Sequence, residues 1–129
     1  TVNLVSNPVS GSLVTNGQVI TYTVTVTNDG AADNITADDG FISVTSAPPG
    51  GLTYQNPTVV TQPGGGSTAW NCGIVGGNLS CTAGNGIGAP QENFAANATV
   101  VIQWQGVVAN GANAGDWFRT WWRWPPIWL

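Results

Sequence analysis

Six carboxylates, two guanidinium groups, two thiols and two phenols are the whole of the ionisable side-chain chemistry in this 129-residue chain. The acids are Asp29, Asp33, Asp38, Asp39, Glu92 and Asp116, the bases are Arg119 and Arg123, and the thiols are Cys72 and Cys81. There is no His, no Lys and no Met. A histidine base, a lysine Schiff base and a P-loop lysine are therefore excluded. Residues 1–115 carry no positive side chain, which excludes a basic nucleic-acid surface. No enzyme activity is expected. No catalytic residue, cofactor or small-molecule substrate is assigned.

Three groupings remain. Asp29, Asp33, Asp38 and Asp39 offer oxygen ligands of the kind calcium takes, but their spacing matches no EF-hand loop. The plainer reading, turn-forming Asp on a solvated face, is adopted, and no metal site is assigned. A glycosidase pair among them is disfavoured, because they sit in turn sequence that implies no cleft. Cys72 and Cys81 are close in sequence, and without His or a second Cys pair they make a poor zinc site. A disulfide is expected, worth about 2.5–3 kcal/mol in the chain-entropy model. Sequons at Asn34, Asn78 and Asn97 are candidate glycosylation sites if the source glycosylates.

The elements that must position these groups read as strands. Val19 to Thr27, VITYTVTVT, alternates apolar Ile20, Tyr22, Val24 and Val26 with a row of threonines. That is the period-two signature of a half-buried strand. A threonine row is also what an ice-binding face would present, but one row on one strand reads more simply as β propensity. Ala98 to Val108 is a second strong strand, with Val100, Ile102, Trp104 and Val108 on its apolar face. That alternation assigns Trp104 to the core. Shorter strands fit Val2 to Ser6, Phe41 to Thr45, Leu52 to Gln55, Thr58 to Thr61, Ala69 to Cys72 and Asn78 to Thr82. Eighteen glycines and eight prolines punctuate the chain too often for helices. The expected fold class is all-β, an immunoglobulin-like antiparallel β-sandwich with an aromatic C-terminal strand or tail.

Hydrophobic residues make up 42% of the chain, enough for a core, while charged residues are only 6%. So uncharged a surface suits an assembled extracellular coat, where neighbouring subunits cover it. No initiator Met begins the chain and no run of 18 apolar residues occurs, so a mature, processed product without a membrane-spanning helix is expected.

Composition changes near Gly115. Residues 1–108 form the expected sandwich, 109–115 (ANGANAG) a flexible connector, and 116–129 (DWFRTWWRWPPIWL) a Trp/Arg-rich segment. Read as a strand up to Pro125, the segment places Phe118, Thr120, Trp122 and Trp124 on one face. Trp117, Arg119, Trp121 and Arg123 fall on the other, where guanidinium groups can stack on indoles. Tryptophan and arginine carry interface energy. Trp117, Phe118, Arg119, Trp121, Trp122, Arg123, Trp124 and Trp128 are therefore expected at inter-subunit contacts, by strand addition to a neighbour. Two other readings are a membrane-interface segment and an aromatic platform for polysaccharide. The plainest is a last strand closing the chain's own sheet.

In order, GQVITYTVTVTNDGAAD, DDG, PPGGLTY, AWNCGIVGGNLSCT and FAANATVVIQWQGVV resemble the conserved-repeat domain of bacterial and archaeal surface proteins, the domain of unknown function eleven. The resemblance runs from about Val2 to Val108. It implies an immunoglobulin-like sandwich on secreted, often repetitive surface or filament proteins, with no catalytic residues to carry over. Trp70, Cys72 and Cys81 match the family's Trp-Cys and Cys positions, which implies a disulfide. The segment 116–129 departs from the plain alternating strand that usually ends such domains, and tandem copies are missing. The function expected is a secreted structural subunit that self-assembles into a pilus-like filament or sheath at the cell surface, a homopolymer without nucleic acid. The alternative is an adhesin-type module touching carbohydrate or membrane through exposed aromatics.

Overall fold

The structure is a computed structural model that describes residues 1–35, 42–84, 92–109 and 127–128, with the backbone alone at 34–35 and 127–128. The described elements are all strands, paired antiparallel throughout. In chain order they are β1 (Val2–Asn7), β2 (Val19–Thr27), β3 (Asn34–Ile35), β4 (Ser43–Ser46) and β5 (Leu52–Thr61). Then follow β6 (Trp70–Val75), β7 (Asn78–Ala83), β8 (Asn93–Phe94), β9 (Thr99–Val108) and β10 (Ile127–Trp128). One sheet runs β1-β2-β9-β5, the other β10-β4-β7-β6, and β3 pairs with β8. The molecule is an immunoglobulin-like antiparallel β-sandwich, as its alternation and turn spacing imply.

Alternation decides which side chains meet between the sheets. Ile20, Tyr22, Val24 and Val26 of β2 and Val100, Ile102, Trp104 and Val108 of β9 are buried from one side. Val44, Trp70, Leu79, Cys81 and Ala83 are buried from the other. Tyr22 stacks on Trp104 with centroids 5.2 Å apart, and Tyr54 meets both edge-on. Tyr22 lies over Gly106, where an added Cβ would stand 3.0 Å from its ring. A side chain there would exclude the ring, which explains a glycine inside β9.

Several strands differ from expectation; β6, expected at Ala69 to Cys72, runs Trp70–Val75, and β3 and β8 were not expected. Asn56-Pro57 was expected to separate two strands, yet β5 is continuous through it. A register shift between Gln55 and Thr58 absorbs Asn56, whose φ is 52°, and Pro57 sits on a sheet edge where its missing N–H costs no ladder bond. The strand expected at Phe41 to Thr45 is found at Ser43–Ser46.

The sandwich has two distinct ends. Thr27, Thr99, Thr61 and Trp70 lie at one, since Thr27 pairs with Thr99 and Gln62 bonds Trp70 across the sheets. Val19, Val108, Leu52 and Ser46 lie at the other, since Leu52 pairs with Val108 and Ser46 bonds Tyr54.

Candidate functional site

Each sheet has edges, and exposed edges are where other strands add. In the second sheet one edge is β6. There Gln62 acts as a single-residue strand. Its Nε2 donates to the Trp70 carbonyl at 2.9 Å, and its Oε1 accepts the Trp70 N–H at 2.8 Å. Inside that edge, Cys72 and Cys81 face each other as a direct cross-strand pair and form a disulfide. Cys81 is fully buried, so the bridge joins the hairpin to the core.

The opposite side of this sheet is β4. Its inner face places Val44 and Ser46 in the core. The Ser46 hydroxyl lies 3.1 Å from the Tyr54 hydroxyl, which in turn donates to the Ala47 carbonyl at 3.3 Å. The Tyr54 proton is thereby used, so Ser46 donates to Tyr54. Burial raises the phenol pKa of Tyr54, outweighing the hydrogen bond from Ser46 and the neighbouring Trp104 indole, which act in the other direction. Burial also raises that of Tyr22, with Tyr54 adding to the effect. One end of β4 is thus fixed to the aromatic core, with its outer backbone edge facing away from β7.

That outer edge takes β10. Ile127 pairs with Ser46 and Trp128 with Thr45. β9 is followed by Ala109, whose N–H bonds the Gly51 carbonyl, and Ile127 lies opposite Ser46. Both points lie at the same end of the sandwich. Trp128 therefore has its backbone on the chain's own second sheet, which extends the sandwich beyond residues 1–108. Trp117, Phe118, Arg119, Trp121, Trp122, Arg123 and Trp124 lie outside the described residues, as does most of the connector 109–115.

The remaining candidates gather at the other end. Asp29 pairs with the Thr1 amine at 2.9 Å, both exposed. Asp33 accepts from the Ala96 N–H and from the Asn93 side chain, at 2.9 and 3.1 Å. Both carboxylates are thus engaged in loop structure, while Asp38 and Asp39 lie outside the described residues. No cluster of potential metal ligands occurs among the described residues. Of the sequons, Asn34 lies in β3, exposed Asn78 opens β7, and exposed Asn97 sits in a turn before β9. Trp70 and Trp104 are buried, which removes the sandwich's own tryptophans as carbohydrate platforms. The threonines of β2 are half-buried and partly tied to β9, Thr27 to Thr99 and Thr23 to Gln103.

Sequence reasoning missed the Gln62 bridge, and for a last strand closing the chain's own sheet it named no partner, which at Ile127–Trp128 is β4. Pro125-Pro126 gave one usable signal for that strand: a new strand can start only after them. Set beside known protein families, curated proteins and solved structures, the chain matches none.

Proposed function

We propose that this chain is a secreted structural subunit that self-assembles into a pilus-like filament or sheath at the cell surface, by passing its C-terminal strand to a neighbour. The role is structural, without catalysis or cofactor, and the chain is kin to the conserved-repeat surface domains. One observation carries the reading: among the described residues, β10 pairs with the β4 edge through Ile127 and Trp128. Net hydrogen bonds of about 0.5–1.5 kcal/mol each make that a weak, exchangeable attachment. The seventeen residues 110–126 can span up to roughly 55 Å when extended, enough to reach the same edge on another copy. Exchange of an identical element between copies forms a head-to-tail contact that need not close. Among the described residues the exposed side-chain charges are Asp29 and Asp33, so little repulsion opposes close packing. The disulfide supports an oxidising compartment outside the cytosol.

The test is a mixing experiment. Chains carrying Thr45→Cys are mixed with chains carrying Trp128→Cys, the residues that face each other across β4 and β10. Strand exchange predicts an interchain disulfide between the two variants and, for the double variant, a ladder that lengthens with concentration. Bridges confined to single chains at every concentration overturn the reading. A monomer that sediments with polysaccharide or liposomes through residues 116–129 would favour the binding module.

A further inference from the structure

Asn97 opens the sequon Asn97-Ala98-Thr99, and the structure describes both its side chain and its surroundings. It stands in a turn closed by the Ala98 N–H on the Ala95 carbonyl at 3.1 Å, with φ 60°. The turn is pinned on both sides by Asn28. Asn97 N–H donates to the Asn28 carbonyl, and Asn28 N–H donates to that of Ala98, at 2.8 and 3.0 Å. While the backbone is held, the Asn97 side chain is exposed and bonds no described residue. By contrast, the side-chain amides of Asn28, Asn71 and Asn93 all donate to backbone carbonyls. Asn78 is also exposed, and its sequon hydroxyl, Ser80, lies in a central strand as Thr99 does, so it is the groove beside Asn97 that sets Asn97 apart.

Asn97 also lines a groove of about 420 Å³. That falls within the ~300–1,000 Å³ of small-molecule sites. Across it stand Thr61 and Gln62, with Gly64 and Gly65 beyond. A Cβ on Gly64 would meet nothing within 4 Å, so bare backbone faces the opening. No charged side chain lines the groove, which suits a neutral, hydroxyl-rich occupant. It lies at the end of the sandwich opposite Ser46 and Ala109, clear of the β4 edge.

We propose that Asn97 carries an N-linked glycan whose first sugars lie along this groove. The donor class is an oligosaccharide on a lipid phosphate. Asn97 Nδ2 forms a bond to the anomeric carbon, the bond from that carbon to the phosphate oxygen breaks, and the lipid phosphate leaves with the amide proton. In the folded chain the Thr99 hydroxyl is bonded to that of Thr27 at 2.9 Å. Transfer therefore precedes the closing of β9 on β2. The glycan supplies the hydration that the side chains of this surface lack. The inference is independent of strand exchange.

The test uses the full chain secreted by a host with an N-glycosylation pathway, beside a control protein of known occupancy. Trypsin is of little use because the first basic residue is Arg119. Cleavage after aromatic residues releases 95–104, in which Asn97 is the sole asparagine. That peptide is expected to carry a sugar mass. Asn97→Gly, which suits the positive φ, is expected to lose one glycan from the intact mass and keep the fold. Endoglycosidase release is expected to be at least tenfold slower from the folded chain than from the denatured chain. An unmodified 95–104 peptide alongside an occupied control overturns the proposal, as does occupancy at Asn78 alone. Equal release rates overturn the groove contact.

Discussion

Raising the pH should unfold this protein through two residues. Tyr22 and Tyr54 are its only tyrosines, both lie in the core, and burial holds both phenols above their ordinary value of 10.0. In the unfolded chain they ionise near pH 10. The sign follows from linkage: above that pH the unfolded state gives up protons that the folded state keeps, so stability is whole below pH 10 and falls as pH rises. Each phenol contributes about 1.4 kcal/mol per pH unit, so the pair costs about 2.7 kcal/mol per unit while both stay protonated in the fold. Against a total of roughly 5–15 kcal/mol, one to two units is a large loss. The background is unusually clean. The chain has no Lys, no His and no free thiol, the other side-chain types that ordinarily titrate between about pH 6 and pH 11. Denaturant titrations from about pH 7 to pH 11 should give a flat midpoint to about pH 9 and a steep fall beyond. Tyrosinate absorbance should appear together with loss of structure. Tyr54→Phe should halve the slope to about 1.4 kcal/mol per unit. Tyrosinate forming near pH 10 in a chain still folded would refute the reasoning.

Gln62→Ala should cost about 1–3 kcal/mol by denaturant titration, because it strands the part-buried N–H and C=O of Trp70; a loss near zero would mean water replaces the amide freely. Gly106→Ala should cost about 1–3 kcal/mol by forcing the Tyr22 ring off Trp104, visible as a changed near-ultraviolet dichroism. Cys72→Ser with Cys81→Ser should lower stability by about 2.5–3 kcal/mol, measured against the oxidised chain without reductant.

Much of the fold was legible because its strands obey period two. The alternation across Val19–Thr27 and Ala98–Val108 correctly sorted core from surface, Trp104 included. The Cys72–Cys81 bridge was legible from chemistry by elimination, and the structure holds it. What stayed hidden depends on partners far away in sequence. Gln62 looks like an ordinary turn residue until Trp70 is brought beside it. The two-residue pairing of Ile127–Trp128 with β4 is too short to carry any periodicity. Nor can the continuity of β5 through Asn56-Pro57 be seen without knowing that β5 is an edge, where a proline is tolerated.

On the proposed reading, the short β10 pairing and the buried core fix how strand exchange behaves. Releasing the described pairs of β10 frees the β4 edge and gives up about 1–3 kcal/mol of backbone pairing, a local opening well below global unfolding. Ser46 stays held by Tyr54 when β10 leaves, so the empty edge keeps its shape for an incoming strand. Exchange between copies should therefore proceed at neutral pH without unfolding, and the Cys72–Cys81 bridge should not affect its rate. Ser46→Ala removes the bond to Tyr54 while leaving the backbone of the edge in place. It should slow interchain cross-linking between Thr45→Cys and Trp128→Cys chains more than it lowers stability. Faster exchange in the disulfide-free variant would mean that exchange passes through the unfolded state instead.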